Sequence, residues 1–460
     1  LVPDLDLLII GSGSGNTILT DEFADWTVGI VEQGRFGGTC LNVGCIPSKM
    51  LVLPADRIVE AAEAARLGVH FAPPVVDWPA IRDRVFGRID PIAESGRTFR
   101  REQPGVALFE GPAKFTDRNT VIVDGEEITA REVVIATGAR PMLPEIDGLA
   151  ESSAHTSDTI MRIDSIPEHL VIVGGGYIAA EMGHVFSALG SRVSIVHRGA
   201  RLLTAEDHDV SERFTESFRR RAQLHLNSQV TSIRRASGTT EVRFNRVDSS
   251  GRSSPASMSA DAVLVCTGRV PNTDRLGLEH TSVELTPDGR IETDDELRTA
   301  QAGIWAIGDV RSALQLKHVA NHEARVVRHN LLHPESPRRI DERHVPHAVF
   351  AEPQIGAVGL REIDLIAAQI PYRAGRRDYS GTAYGWALGD EVGFAKVLIH
   401  ADTEQVLGAH IIGVQAATLV QQITTAMQFE IPAGRLARDQ LWCHPALTEV
   451  VENALLDALE

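Results

Sequence analysis

Two cysteines stand five residues apart in Gly37-Gly38-Thr39-Cys40-Leu41-Asn42-Val43-Gly44-Cys45-Ile46-Pro47-Ser48-Lys49, and they are the side chains of this protein best able to do chemistry. A thiolate either ligates a soft metal or exchanges electrons, so the segment poses redox chemistry, a metal site or plain structural cysteines. A structural zinc site takes about four ligands. The chain has four cysteines and no second close pair to complete one, so no metal is expected. A second carrier is Trp442-Cys443-His444-Pro445-Ala446-Leu447-Thr448-Glu449. Imidazole titrates near neutral pH, which suits proton donation to a departing thiol, and a carboxylate on its other nitrogen fixes the tautomer. His444 is the expected acid and Glu449 its orienter.

These groups need elements to hold them. Leu5 to Ile10 is an apolar run ending in Gly11-Ser12-Gly13-Ser14-Gly15-Asn16, and a second run from Val28 ends at Glu32. Strand, turn, helix, strand is the predicted parse, with the glycines letting backbone approach a pyrophosphate and Glu32 placed to accept from ribose hydroxyls. Asn16 departs from the small residue usual at its position. The pattern recurs from Leu170 through Gly174-Gly175-Gly176-Tyr177-Ile178-Ala179, with a helix to about Leu189 and a strand Arg192 to Val196. That strand runs into His197-Arg198, with Arg201 close behind. A guanidinium suits a 2′-phosphate where a carboxylate would repel it, so the second fold is expected to prefer NADPH over NADH.

Strand-to-glycine turns recur at Val133 to Gly138, which includes Thr137, at Val263 to Gly268, and at Ile304 to Asp309, which includes Gly308. Pro141 to Gly148 marks a crossing out of the first domain and Val270 to Thr273 a return. Alternation at Ala348 to Phe350 and Ala395 to Ile399, with helical patterning over Gln415 to Phe429, predicts an α+β module after about Val345. The expected division is 1–155 completed by 273–343, then 156–272, then 344–460. The fold class is α/β, with two Rossmann-like dinucleotide-binding domains and a C-terminal α+β domain.

With 460 residues, three domains are the natural number. A net charge of −17 argues against a nucleic-acid partner, since a phosphate backbone wants a basic surface. No apolar run nears the roughly 20 residues of a membrane helix, which reads as a cytoplasmic protein with no membrane partner.

The Cys40-to-Lys49 segment resembles the active-site helix of the flavoprotein disulfide reductases, the glutathione reductase and dihydrolipoamide dehydrogenase group, and the His444-Pro445 motif resembles theirs too. The resemblance implies bound FAD, a redox disulfide between Cys40 and Cys45, Cys45 on the flavin side and Cys40 as the thiol that attacks substrate. Such a bridge needs α-carbons within roughly 7 Å, a spacing that Gly44 and Pro47 help by loosening the turn. It further implies that Lys49 lies beside the flavin and pairs with Glu181, and that Gly11, Ser12, Gly13, Ser14, Gly15, Glu32, Gly38, Thr39, Thr137, Gly138, Gly308, Asp309, Lys317 and His318 line the FAD site. A lysine at Lys317 is unusual for the family. NADPH is assigned to Gly174, Gly176, Tyr177, Ile178, Glu181, His197, Arg198, Arg201 and Gly268. In this family the histidine reaches the flavin site of the other subunit, which implies a homodimer. Cys266 reads as a core residue and Cys443 as packing.

Within the family the chain looks closest to the mycothione-reducing branch, on stretches such as Val85-Phe86-Gly87-Arg88-Ile89-Asp90-Pro91 and Lys317-His318-Val319-Ala320-Asn321-His322-Glu323-Ala324-Arg325. That implies a small-molecule disulfide substrate, mycothione, reduced with NADPH. The alternatives are a dihydrolipoamide dehydrogenase, whose second fold carries an acid where Arg198 stands, or a reductase of another small disulfide. A redox-inactive flavin- and nucleotide-binding regulatory module is the remote one.

Overall fold

The computed structural model describes residues 4–236, 238–248 and 250–460, and the chain divides into two compact units. The first takes Leu1–Pro47, Arg82–Met142 and Gly268–Glu342; the second takes Ser48–Ile81, Leu143–Thr267 and Arg343–Glu460.

In the first unit, parallel strands lie in the order Val106–Glu110, Val28–Glu32, Leu5–Ile10, Glu126–Ile135, with Ile304–Ala306 also on the last of these. The lower half of Glu126–Ile135 continues as an antiparallel meander with Thr120–Val123 and Ala113–Asp117. The central runs Leu7–Ile10 and Val28–Val31 are buried on both faces, so they are apolar throughout rather than alternating. Leu7 and Ile9 join one core with Phe23, Val327 and Leu331, while Leu8 and Ile10 join another with Phe115 and Ile128.

The helix expected after the first glycine turn is absent. Gly15–Ile18 and Asp21–Phe23 are short 3₁₀ turns instead. The residues there explain why, because hydroxyl side chains compete for the backbone. Thr17 donates to the Ser14 carbonyl at 2.7 Å and Thr20 to the Glu22 carboxylate at 3.0 Å. Arg100, on the helix Trp78–Glu102, donates to the Asn16 side chain at 2.7 Å and to its carbonyl at 3.0 Å. Asn16 is thus the acceptor that ties this irregular segment down.

The chain leaves the first unit after Met142 and returns at Gly268. Ala139–Pro141 and Arg269–Pro271 pair antiparallel, so the outgoing and returning chain form one ladder.

The second unit holds a parallel sheet in the order Gln223–His225, Arg192–Val196, His169–Val173, Ala262–Val265, with the helix Tyr177–Ala188 following its glycine turn as expected. An antiparallel meander, Ser228–Ala236, Thr239–Val247 and Ser253–Ala260, shares a core with that sheet through Val171, Val242 and Phe244. The C-terminal module is an antiparallel sheet in the order His347–Val349, Ile355–Gly359, Val406–Ile412, Phe394–His400, Tyr372–Asp378. Helices Ala416–Gln428 and Thr448–Leu459 pack on it. Gly375 permits the second contact, since a Cβ there would meet the Ala454 carbonyl at 2.0 Å. Among the described residues no helix is long and apolar enough to cross a membrane.

Candidate active site

The segment with the cysteine pair folds as two helices rather than one. Gly38–Asn42 carries Cys40, the chain breaks at Val43 and Gly44, and Cys45 opens the helix Cys45–Glu63. Gly44 makes the break possible: a Cβ there would meet the Thr39 carbonyl at 2.9 Å and the Cys40 α-carbon at 3.3 Å. Cys45 therefore sits at the positive end of a long helix, where a thiolate is favoured.

Both residues are present as thiols, and they are hydrogen-bonded to each other. That hydrogen bond, reinforced by burial and by Cys45's proximity, pushes the Cys40 thiol well above the ordinary range, while the charge of Lys317 opposes the rise. Two sulfurs this close disfavour each other's ionisation. Cys266, by contrast, is buried in a strand turn and pushed up to about 12 by desolvation, which leaves it inert.

The first glycine turn approaches the redox helix closely. A Cβ on Gly38 would fall 2.7 Å from the Gly13 α-carbon, and one on Gly11, at φ +110°, would fall 2.4 Å from the Ala136 carbonyl oxygen. Glu32 braces the turn, accepting from the Ser12 amide at 3.0 Å, the Ser12 hydroxyl at 2.6 Å and the Gly34 amide at 2.8 Å. Ser12 in turn accepts from the Gly37 amide at 2.8 Å. Lys317, first residue of the helix Lys317–Leu332, donates to the Ser14 hydroxyl at 2.8 Å. His318 follows it on the same turn.

Asp309 lies in the short turn Gly308–Val310, and burial pushes its carboxyl above the usual range against the nearby charges of Arg269 and Lys317. Among the described residues its carboxylate accepts from no other side chain, which leaves an acceptor for a ribityl hydroxyl. Thr137 and Gly138 are fixed from across the crossing ladder: Thr137 donates to the Asn272 carbonyl at 3.0 Å, and the Asn272 amide donates to the Gly138 carbonyl at 2.9 Å. The first unit therefore offers glycine backbone for a pyrophosphate and free oxygen acceptors for hydroxyls, as FAD requires.

In the second unit Lys49 and Glu181 form a bidentate pair, Nζ to the two carboxylate oxygens at 2.8 and 2.7 Å. Glu181 is buried and also accepts from the Phe350 amide at 3.0 Å, and the Phe350 ring lies 4.7 Å from Lys49 Nζ. Around the second glycine turn, a Cβ on Gly174 would meet the Cys266 carbonyl oxygen at 2.3 Å, and one on Gly175 the His197 ring at 2.5 Å. Gly176 faces open space and Tyr177 is exposed, with Ile178 next on the helix. His197 Nε2 and Arg201 Nε are buried without a hydrogen-bond partner, and Arg198 is exposed with no ion pair among the described residues. Burial and the Arg198 charge lower the His197 pKa. Unpaired donors of this kind around a strand end suit a nucleotide phosphate. Gly268, at φ +133°, lies in the first unit at the start of the returning strand rather than in this turn.

His444 bonds through Nδ1 to Glu449 at 2.7 Å, and the Ala446 amide donates to the other oxygen at 3.2 Å. The His444 bond holds the Glu449 carboxyl below the usual range. With Nδ1 engaged, Nε2 is left as the working nitrogen of an exposed ring. Cys443 is exposed beside it. Among the described residues no group of three or more His, Cys, Asp or Glu is placed to hold a metal ion.

Three structural partners were missed by sequence reasoning. Phe350 fixes Lys49 and Glu181 through backbone and ring, which no local pattern announces. Arg100 reaches Asn16 from 84 residues away. Glu323 is fully buried on the helix Lys317–Leu332, where it accepts from the Gly308 amide and from Arg311 at 2.6 Å. An acid inside the apolar stripe of Val319, Ala320, Ala324 and Val327 was its available signal.

A family model described as pyridine nucleotide-disulphide oxidoreductase matches residues 5–324, and its dimerisation domain matches 345–455. The chain is 45% identical to mycothione reductase of Mycobacterium tuberculosis across 98% of each protein. It is 33% identical to glutathione reductase of Burkholderia cepacia across 97% of each. The HOCl-induced flavoprotein disulfide reductase RclA from Escherichia coli superimposes with a TM-score of 0.85 at 27% identity, covering 98% of this chain and 99% of that one. With both family domains present over nearly its whole length, the chain belongs to the pyridine nucleotide-disulphide oxidoreductases, a family that depends on FAD and a pyridine nucleotide.

Proposed function

We propose that this protein is an NADPH-dependent reductase of mycothione, working as a homodimer with the domain division 1–155 plus 273–343, 156–272 and 344–460. The observation that carries the reading is the hydrogen-bonded Cys40–Cys45 thiol pair with Cys45 at a helix start. Bound FAD would supply the two-electron relay between nicotinamide and these sulfurs. The Cys40 sulfur, as thiolate, attacks one sulfur of the substrate disulfide; that S–S bond breaks and the first thiol leaves with a proton from His444 of the partner subunit. Cys45 then attacks Cys40, closing the protein disulfide and expelling the second thiolate, which takes up a proton. Glu449 accepts from Nδ1–H and orients the ring, and the transferred proton is the one that the imidazolium form carries on Nε2. Lys49 is held in place by Glu181, whose two carboxylate oxygens both accept from its ammonium.

Arg198, exposed and unpaired at the strand end, favours NADPH, and the 45% identity to a mycothione reductase favours that substrate. The test is a panel of mycothione, glutathione disulfide and lipoamide with NADPH and NADH. Mycothione with NADPH is expected to exceed the other pairs in kcat/KM by about 10²-fold or more, a scale that apolar contacts alone can supply and well within reach of a pocket that bonds polar groups. Equal turnover of glutathione disulfide would remove the substrate assignment. Failure of NADPH to expose two thiols anaerobically would remove the redox reading.

A further inference from the structure

We propose that the first unit carries an anion-binding cleft, separate from the redox site, for a small multivalent phosphate. The cleft has a volume of about 470 Å³ and is walled by the outer face of the helix Lys317–Leu332 and by the segment that follows it. His322, Arg325, Arg328 and His329 project from the helix. Arg338 and Arg339 stand opposite, with His333 at the helix end. Four guanidiniums and three imidazoles thus converge in a protein whose formal net charge is −17.

The convergence is built rather than incidental. Asn330, 1% exposed, donates to the Arg338 carbonyl at 2.9 Å and accepts from the Arg338 amide at 2.7 Å. The His329 ring bonds the Ser336 carbonyl at 2.9 Å, and the Ile340 amide donates to the Asp295 carbonyl at 2.8 Å. These contacts fold the segment back so that Arg338 and Arg339 face the helix arginines.

Neutralisation from the protein itself is slight. Among the described residues Arg325, Arg328 and Arg338 form no ion pair with a carboxylate, and Arg325 contacts only the His322 ring at 3.4 Å. Arg339 reaches Glu296 at 3.9 Å, but that acid is also held by Arg298. Glu22, at the cleft wall, is bonded by Thr20. Asp341 and Glu342 act on His322 from beyond the segment, and Glu342 is committed to Arg311 at 3.1 Å. His333 also reaches Glu335 at 3.7 Å. Cations that outnumber the acids beside them favour an anion that bonds several guanidiniums at once, and planar forks match phosphate oxygens. Along the helix the cleft lining runs from His322, about 8 Å beyond Lys317 at 1.5 Å per residue, to Leu332, about 22 Å beyond it.

Calorimetric titration of the holoenzyme with inorganic tripolyphosphate, ATP and citrate tests the proposal. Saturable binding of tripolyphosphate is expected, weakened about tenfold or more in R328E/R338E. Arg198→Ala, which removes the phosphate candidate of the second dinucleotide fold, is expected to leave it unchanged, and so is Arg118→Glu at a remote exposed site. ATP binding as tightly as tripolyphosphate identifies the phosphate chain as the recognised part. Absence of saturable binding, equal affinity for citrate, or loss of binding in Arg198→Ala overturns the proposal. None of these outcomes depends on which disulfide is reduced.

Discussion

The two dinucleotide folds share a strand, a glycine turn and a second parallel strand, yet they differ at both ends of that plan. In the first, irregular 3₁₀ turns follow the glycines, pinned by Arg100, and the second strand ends in Glu32, which braces the turn itself. In the second, the regular helix Tyr177–Ala188 follows, and the strand ends in His197, whose Nε2 is buried without a partner, and Arg198, exposed with no ion pair among the described residues. An acid that holds the loop and accepts hydroxyls suits a resident cofactor; an open cation suits a nucleotide that comes and goes. One backbone plan therefore serves two tasks through the residue at one strand end.

The largest expected effect separates the cysteines of the two folds. Cys40→Ser abolishes disulfide turnover while NADPH still bleaches the flavin, whereas Cys266→Ala, in the buried turn of the second fold, leaves turnover intact. Normal turnover in the Cys40 variant would refute the assigned roles. Next come the matched glycines. Gly11→Ala yields protein with little bound flavin by visible absorbance, and Gly174→Ala yields flavin-loaded protein that NADPH does not reduce, since each new Cβ collides with a carbonyl oxygen. Identical phenotypes would erase the distinction drawn between the folds.

A smaller effect is expected of Arg198→Ala, which raises the KM for NADPH about tenfold or more, the worth of a charge-assisted bond, and scarcely moves that for NADH. Equal changes for both nucleotides would contradict a 2′-phosphate contact. Smallest is Asn16→Ala, which removes Arg100's acceptor and lowers the melting midpoint by about 2–4 °C, as a loss near 1 kcal/mol does in domains of this size. Ser187→Ala in the second fold, where a helix already satisfies the backbone, serves as the matching control.

What was legible in the sequence lay in local periodicity. Leu5–Ile10, Arg192–Val196 and Tyr177–Ala188 depend on neighbours within a few residues, and they fold where the patterns placed them. The helix expected after Gly15 was not formed, because Thr17 and Thr20 turn their hydroxyls on nearby groups and a distant arginine takes up Asn16. The break at Gly44 was only partly visible, as a glycine between two cysteines. Pairings such as Phe350 with Glu181, or Asn330 with Arg338 beneath the basic cleft, have no signature along the chain, since packing rather than period creates them.

The short ladder between Ala139–Pro141 and Arg269–Pro271 bears on the order in which the chain assembles. Everything from Met142 to Gly268 is looped out between two strands that touch, so once these few residues zip together, Ile304–Ala306 can reach Glu126–Ile135 as though it were nearby in sequence. Closing a loop once lowers the effective contact order of all that follows. The parallel sheet of the first unit can thus mature on its own schedule, irrespective of how far the excursion has progressed.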